Sequence, residues 1–449
     1  MEKNELIKIA ESNVLPHYAF VKEIRERGPK IIVKGEGAKI YDIDGKEYID
    51  GLSILWTVNI GHGRKEIIDA LKEQLEKINY ASLFGGYFNE PALKLADKLS
   101  KITPSTLKTS FFISGGSEAV ESAIKFVRQY WALKGHPEKK KIVSRRESYH
   151  GVTYGALSAT GLRIYRQPFE PLLPFFLHIS PPYCYRCDFG REPSSCNVEC
   201  AKCFKDLIYY EGKGTIAAII IEPVMSAAGV LVPPKKYFEE IQNIARENNI
   251  LIIADEVING WGRCGDLFAS NIFGLDPDIM VFGKGITSGY APLGAMIVKE
   301  ELFEVFIDNM FVHGHTFGGH CLSTTAALKN IELIEKENLP QKTKEKGETL
   351  GKALQNLKRH KRVGDIRGIG LHWAIEYVKD KDTKERIPSH IRFAMKVEEA
   401  AYKRGLYLCR ASVDKTYVAP PLVIEEKDIY KIVEILDEAI EEASKSVEI

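Results

Sequence analysis

An α/β fold is what this sequence predicts: a mostly parallel central sheet flanked by helices, with a smaller discontinuous α+β domain. Three observations carry the prediction. Short runs such as 216–221 and 251–254 are apolar without alternation, the pattern of strands buried on both faces of a parallel sheet. These runs alternate with segments of helical periodicity, the order of right-handed βαβ crossovers. At 449 residues the chain is too long for a single core and divides into two or more domains.

Taken in order, residues 30 to 51 read as strands broken by Gly35, Gly37 and Asp44-Gly45, a hairpin signal. Helical periodicity follows at 64–78 and 91–101. A strand at 109–114 leads into a helix at 118–133, then strands at 141–144 and 216–221. A helix at 235–248 separates the latter from strands at 251–254 and 279–282. Beyond about residue 325 the pattern changes to helices at 324–336 and 342–358, strands within 363–377 and 405–418, and a final helix after Glu425. The expected division is a segment 1–55 that packs with the small domain, a large domain 56–324, and a C-terminal small domain 325–449.

Composition excludes several classes. The chain is 45% hydrophobic and 27% charged with a net charge of +1, so it has neither the basic footprint of a nucleic-acid binder nor a polybasic membrane patch. The charged opening Met1-Glu2-Lys3-Asn4-Glu5 lacks an apolar run with a cleavage site. The apolar runs are too short to span a bilayer, and the expectation is a cytoplasmic protein. Five of the eight cysteines, Cys184, Cys187, Cys196, Cys200 and Cys203, fall in a loop at 181–204. Pro181-Pro182, Gly190, Pro193 and Ser194-Ser195 mark it as an irregular excursion. Structural zinc, disulfides and reduced thiols are all compatible with that spacing; a catalytic metal is not expected.

Two strands deliver ionisable groups at their carboxyl ends, where open α/β sheets bind ligands. One is Asp255, the other Lys284 in Gly283-Lys284-Gly285. Alone, each has an ordinary reading as a helix cap or a solvated turn residue. Together they match what pyridoxal 5'-phosphate needs, an amine for a Schiff base and a carboxylate to keep the pyridine nitrogen protonated. The strand at 109–114 runs into Ser114-Gly115-Gly116-Ser117 and a helix, which offers glycine backbone, the Ser117 hydroxyl and free helix N–H groups to an anion. Its ordinary reading is a glycine turn with a serine cap. Tyr149 offers a lid for a flat ring, and Val257, two residues after Asp255, a floor on the same side of the strand.

The order Ser-Gly-Gly-Ser-Glu-Ala from Ser114, Tyr149-His150-Gly151, Glu222-Pro223-Val224, Asp255-Glu256-Val257-Ile258 with Gly260-Trp261-Gly262-Arg263, Lys284 and Thr316-Phe317-Gly318-Gly319 resembles the class III aminotransferases. These are fold-type I pyridoxal phosphate enzymes, and the likeness runs from about Pro29 to the final helix. The resemblance implies that Lys284 forms the aldimine and shuttles protons, with Asp255 on the pyridinium nitrogen. Gly116 and Ser117 would bind phosphate, joined by Thr316 from the other subunit of a homodimer, and Tyr149 would stack on the ring with Glu222 near it. Asp50-Gly51-Leu52-Ser53-Ile54-Leu55-Trp56 and Gly61-His62-Gly63-Arg64 are similar to the ω-amino acid:pyruvate branch, whose tryptophan, here Trp56, lines the substrate pocket with Tyr149. Arg410 matches the arginine that grips a substrate carboxylate and swings out for an apolar amine.

The resemblance therefore implies ping-pong transfer of an amino group from an ω-amino acid, diamine or primary amine to pyruvate or another 2-oxo acid. An aminomutase or decarboxylating aminotransferase of the same fold is the alternative, and a non-catalytic binding protein a further one. Two positions depart from the family's pattern. Ala227 stands where relatives that switch to 2-oxoglutarate carry a gating glutamate, and Met225 where a glutamine is usual.

Overall fold

The computed structural model describes residues 2–104, 106–408 and 412–447. Arg410, expected to grip the substrate carboxylate, lies outside the described residues. Near the N-terminus, β1 (Ile32–Glu36), β2 (Lys39–Asp42) and β3 (Glu47–Asp50) form an antiparallel ribbon. Its two turns carry Gly37 at φ +57° and Gly45 at φ +78°, left-handed values that side chains resist.

The central sheet contains β4 (Leu107–Ile113), β5 (Lys141–Arg145), β6 (Phe176–Ile179), β7 (Ile216–Ile221), β8 (Leu251–Asp255), β9 (Ile279–Phe282) and β10 (Gly294–Lys299). Their spatial order is β4-β10-β9-β8-β7-β5-β6. Only β10 runs against its neighbours; the other six strands point one way. Every residue of β7 to β10 is buried, which is why they read as unbroken apolar runs. Alternate residues feed two cores. Ile252, Ala254, Met280 and Phe282 face one, and Leu251, Ile253, Ile279 and Val281 the other, the period of two that the pleat imposes. The helix Gly116–Leu133 covers the second core with Ala119, Val120, Ala123, Ile124 and Val127.

Four more strands follow: β11 (Val363–Ile369), β12 (His372–Tyr377), β13 (Leu406–Tyr407) and β14 (Lys415–Val418). β11, β12 and β14 make an antiparallel sheet. β13 instead pairs in parallel with β3, so the two distant parts of the chain share one sheet.

Three features of the central sheet and the cysteine loop differ from the sequence reading. β6 was not expected, because four residues hemmed by Pro174 on one side and Pro181 on the other give too short a pattern. Nor was β10, whose apolar run follows the Lys284 loop without an intervening helix of any length. The cysteine excursion is not irregular throughout, since Glu199–Glu211 is a helix that carries Cys200 and Cys203. Its inner face is Ala201, Phe204 and Ile208, an i, i+3, i+7 set; the prolines and glycine mark only the part before it. Cys184, Cys187, Cys196, Cys200 and Cys203 are free thiols, and no group of metal-ligating side chains is assembled among the described residues. The excursion is fastened to β12 by Tyr183 and Arg186, which both donate to the buried carboxylate of Glu376, Arg186 Nε at 2.6 Å.

Candidate active site

Parallel neighbours end along one edge of the sheet. Asp255 closes β8 in register with Val281 of β9, Glu222 follows β7, and Lys284 follows β9 by two residues. Asp255 is 4% exposed. Its Oδ2 lies 2.8 Å from His150 Nδ1, and its Oδ1 accepts the Val257 N–H at 3.1 Å. A carboxylate can only accept, so His150 Nδ1 carries the shared proton. The imidazole is buried and its Nε2 has no hydrogen-bond partner among the described residues. Glu222 is buried too and accepts the N–H groups of Tyr149 and Ser226, each at 3.1 Å. Burial pushes its carboxyl up, against the opposing pull of His150 and Arg145. Glu256, on the opposite side of the chain from Asp255, is pushed up to about 7 by burial and binds Ser270 at 2.6 Å, a structural role.

Lys284 sits at φ +43°, between two glycines. A Cβ on Gly285 would lie 2.6 Å from Asn59 Nδ2, so the lysine turn packs flush against the segment after Trp56. Lys284 Nζ stands 5.3 Å from the centroid of the Trp56 ring. Trp56 meets Tyr417 edge-on at 5.2 Å, and the Tyr417 hydroxyl donates to the Ala227 carbonyl at 2.7 Å. Burial pushes the Tyr417 hydroxyl well above its usual range. It pushes His372 well below, with Arg263 and Lys284 adding to the effect.

At the other end of the site, the first-turn N–H groups of Gly116–Leu133 have no carbonyl of their own helix to bond. Ser117 Oγ accepts the Val152 N–H at 3.1 Å, and its own hydrogen stays available for a ligand. The backbone here is packed as closely as glycine allows. A Cβ on Gly116 would be 2.8 Å from Val257 Cγ1, and one on Gly151 would be 2.6 Å from Ser117 Oγ. Tyr149, two residues before Gly151, is half-buried, with Tyr165 edge-on to it at 5.4 Å.

The structure thus brings together Lys284, Asp255, Glu222, Tyr149, Ser117, Gly116, Val257 and Trp56. Thr316 is exposed, with its carbonyl accepting from Tyr80 at 2.6 Å and no hydrogen bond from its side chain among the described residues. Three participants were missed in the sequence: His150 behind Asp255, Tyr417 beside Trp56, and Arg263 beneath the Trp56 turn. His150 had a local signal, its place next to Tyr149. Tyr417 had none.

An amine, a carboxylate backed by a proton-bearing imidazole, and a helix N-terminus in a glycine cradle fit the aldehyde, pyridine nitrogen and phosphate of pyridoxal 5'-phosphate. Fold and site together define a pyridoxal-phosphate-dependent enzyme that handles amino groups. Residues 23–440 match the Aminotransferase class-III family. The chain belongs to that family and is a pyridoxal-phosphate-dependent aminotransferase.

The chain is 38% identical to the adenosylmethionine-8-amino-7-oxononanoate aminotransferase of Methanocaldococcus jannaschii, over 99% of both proteins. It is 35% identical to the putrescine–pyruvate aminotransferase of Pseudomonas aeruginosa, over 98% of this chain and 96% of that one. Among solved structures it resembles the Pseudomonas jessenii ω-transaminase in complex with PMP, with TM-score 0.95, 35% identity, and coverage of 98% and 99%. Among the described residues no helix is long and apolar enough to cross a membrane.

Proposed function

We propose that this aminotransferase moves an amino group from an ω-amino acid, a diamine or a primary amine to pyruvate. The observation that carries the reading is the wall above Lys284. Trp56 and Tyr417 make it aromatic, and Ala227 contributes a carbonyl where a gating glutamate would supply a carboxylate. Such a wall takes the methylene or aryl part of an amine without stranding a charge. Similarity to a putrescine–pyruvate aminotransferase supports it.

The chain's own groups divide the work. Gly116, Ser117 and the helix N-terminus would hold the cofactor's phosphate. Asp255 would take the ring nitrogen and Tyr149 and Val257 the two faces of the ring, while Glu222 orders the Tyr149 backbone. The chemistry the bound cofactor supplies is electron acceptance from the substrate's α-carbon bond. Lys284 Nζ would hold the cofactor and, as a free amine, move the proton of the amine-bearing carbon. Trp56 screens that amine from water.

The reading extends to parts outside the single chain. Thr316, exposed on its loop, would reach the phosphate of a partner subunit in a homodimer, and Arg410 would grip a carboxylate. The division at about residues 55 and 324 is supported by the pairing of β3 with β13. A cytoplasmic location is in keeping with the free thiols.

A half-reaction screen tests this. Amines are mixed with the loaded enzyme, the cofactor's visible band is followed, and pyruvate is then added. Putrescine, β-alanine, taurine or an arylalkylamine should bleach the band and pyruvate restore it. Recovery by 2-oxoglutarate alone, or release of carbon dioxide, overturns the proposal. The M. jannaschii relative makes adenosylmethionine with 8-amino-7-oxononanoate the second reading, and that pair belongs in the same screen.

A further inference from the structure

Trp56 sits in an unfavourable piece of backbone. Ser53, Ile54 and Trp56 have φ of +49°, +61° and +55°, three left-handed residues in four positions. For a β-branched isoleucine and a tryptophan that conformation persists only where the surroundings impose it. Two groups do so here. Asp50, fully buried, accepts the N–H of Leu52 at 3.2 Å and of Ile54 at 2.9 Å, and pairs with His62 Nε2 at 3.0 Å. From the other side comes Arg263, a residue of the large sheet's loops that is itself completely buried.

Arg263 Nη2 donates to Ser53 Oγ at 2.8 Å and to Asn59 Oδ1 at 2.6 Å, bracketing the turn. Its Nη1 donates to the carbonyls of Pro420 at 2.6 Å and Leu371 at 3.0 Å. Ser53 Oγ in turn donates to the Ala419 carbonyl at 2.7 Å. All of these acceptors are uncharged, and Arg263 Nε is buried without a partner among the described residues. Burial pushes the guanidinium down to about 10. A buried cation with no bonded carboxylate is a poor stabilising device. What it does well is fix the relative positions of four acceptors from three stretches of chain, which the guanidinium fork can span and a lysine point charge cannot.

We infer that Arg263, through Ser53, is a positioning residue for substrate specificity: it holds the Ser53–Trp56 turn so that the Trp56 ring stays above Lys284 and against Tyr417. The inference rests on the reading of Trp56 as a pocket wall. Arg263 touches neither substrate nor cofactor and acts only through the turn.

Arg263→Lys and the milder Ser53→Ala are compared with Trp56→Ala and with each double variant. The first readout needs no cofactor. The near-ultraviolet circular dichroism band of Trp56, defined by difference against Trp56→Phe, should collapse in both positioning variants. The second is the ratio of kcat/KM for a small amine and a bulky arylalkylamine. It should change about tenfold in both variants, through KM more than kcat, with no further change once Trp56 is alanine. Ser53→Ala keeps the test open should Arg263→Lys not fold. A retained Trp56 band, or additive effects in the double variants, overturns the inference and leaves the proposed function standing. An unchanged ratio in Trp56→Ala itself overturns both.

Discussion

Glu376→Gln removes one charge from a closed box. The wild-type carboxylate is fully buried and accepts from the Tyr183 hydroxyl, Arg186 Nε at 2.6 Å and Arg367 Nη2 at 2.8 Å. The two arginine side chains are 17% and 15% exposed, so the pairs are only weakly screened. Each charge-assisted bond contributes about 1.5–3 kcal/mol, and stripping one partner from a buried pair costs about 3–5 kcal/mol. Arg367 keeps Asp365 at 2.7 Å, which puts the expected loss at the lower end, about 3 kcal/mol, or about a hundredfold in an opening equilibrium.

Because Tyr183 and Arg186 are the fastening of the cysteine excursion, the opening should be local. Hydrogen exchange of peptides spanning 183–190 should lose about two decades of protection, while peptides from β8 stay protected. Unchanged exchange at 183–190, or equal loss in β8, refutes the reasoning. Acid should reproduce the effect in the wild type. Burial pushes the Glu376 carboxyl up, but Arg367, Lys415, Tyr183 and Arg186 together hold it below its usual value of 4.5. A depressed carboxyl contributes stability above its unfolded pKa and loses it as pH falls through the folded one. Protection at 183–190, corrected for intrinsic rates, should therefore fall only below about pH 4.5.

Two further outcomes follow from the site. Asp255→Asn keeps the shape beside His150 but removes the charge facing the cofactor nitrogen, and kcat should fall by about a hundredfold or more with folding intact by circular dichroism. Gly294→Ala places a Cβ against the Gly115 carbonyl, closer than real atoms approach; parting β10 from the phosphate turn should cost about 1–3 kcal/mol and weaken pyridoxal phosphate binding in a cofactor titration.

What the sequence allowed to be read depended on how many faces an element buries. β7 and β9 are covered on both sides, and their expected limits match the observed Ile216–Ile221 and Ile279–Phe282. The helix Glu199–Glu211 was hidden because the prolines and cysteines upstream set the reading of the whole excursion. Within the site, residues on consecutive strand ends were legible, since a parallel sheet must align them. Contacts made across the fold were not. His150 reaches Asp255 across 105 positions, and Arg263 reaches Pro420 across 157; nothing local in either stretch announces its partner. Arg263 was visible as part of a glycine-rich motif, but two of its four acceptors are backbone carbonyls, which carry no sequence signal.

The bracing of the Trp56 turn also has a temporal side. A chain leaves the ribosome from its N-terminus, so Asp255 and Lys284 are synthesised before Leu371, Ala419 and Pro420. Until those carbonyls arrive, Arg263 has only Ser53 and Asn59 to hold, and Tyr417 is not there to meet the indole. The cover over Lys284 is thus closed by residues from both ends of the chain, with Ser53 and Asn59 on one side and Leu371, Ala419 and Pro420 on the other.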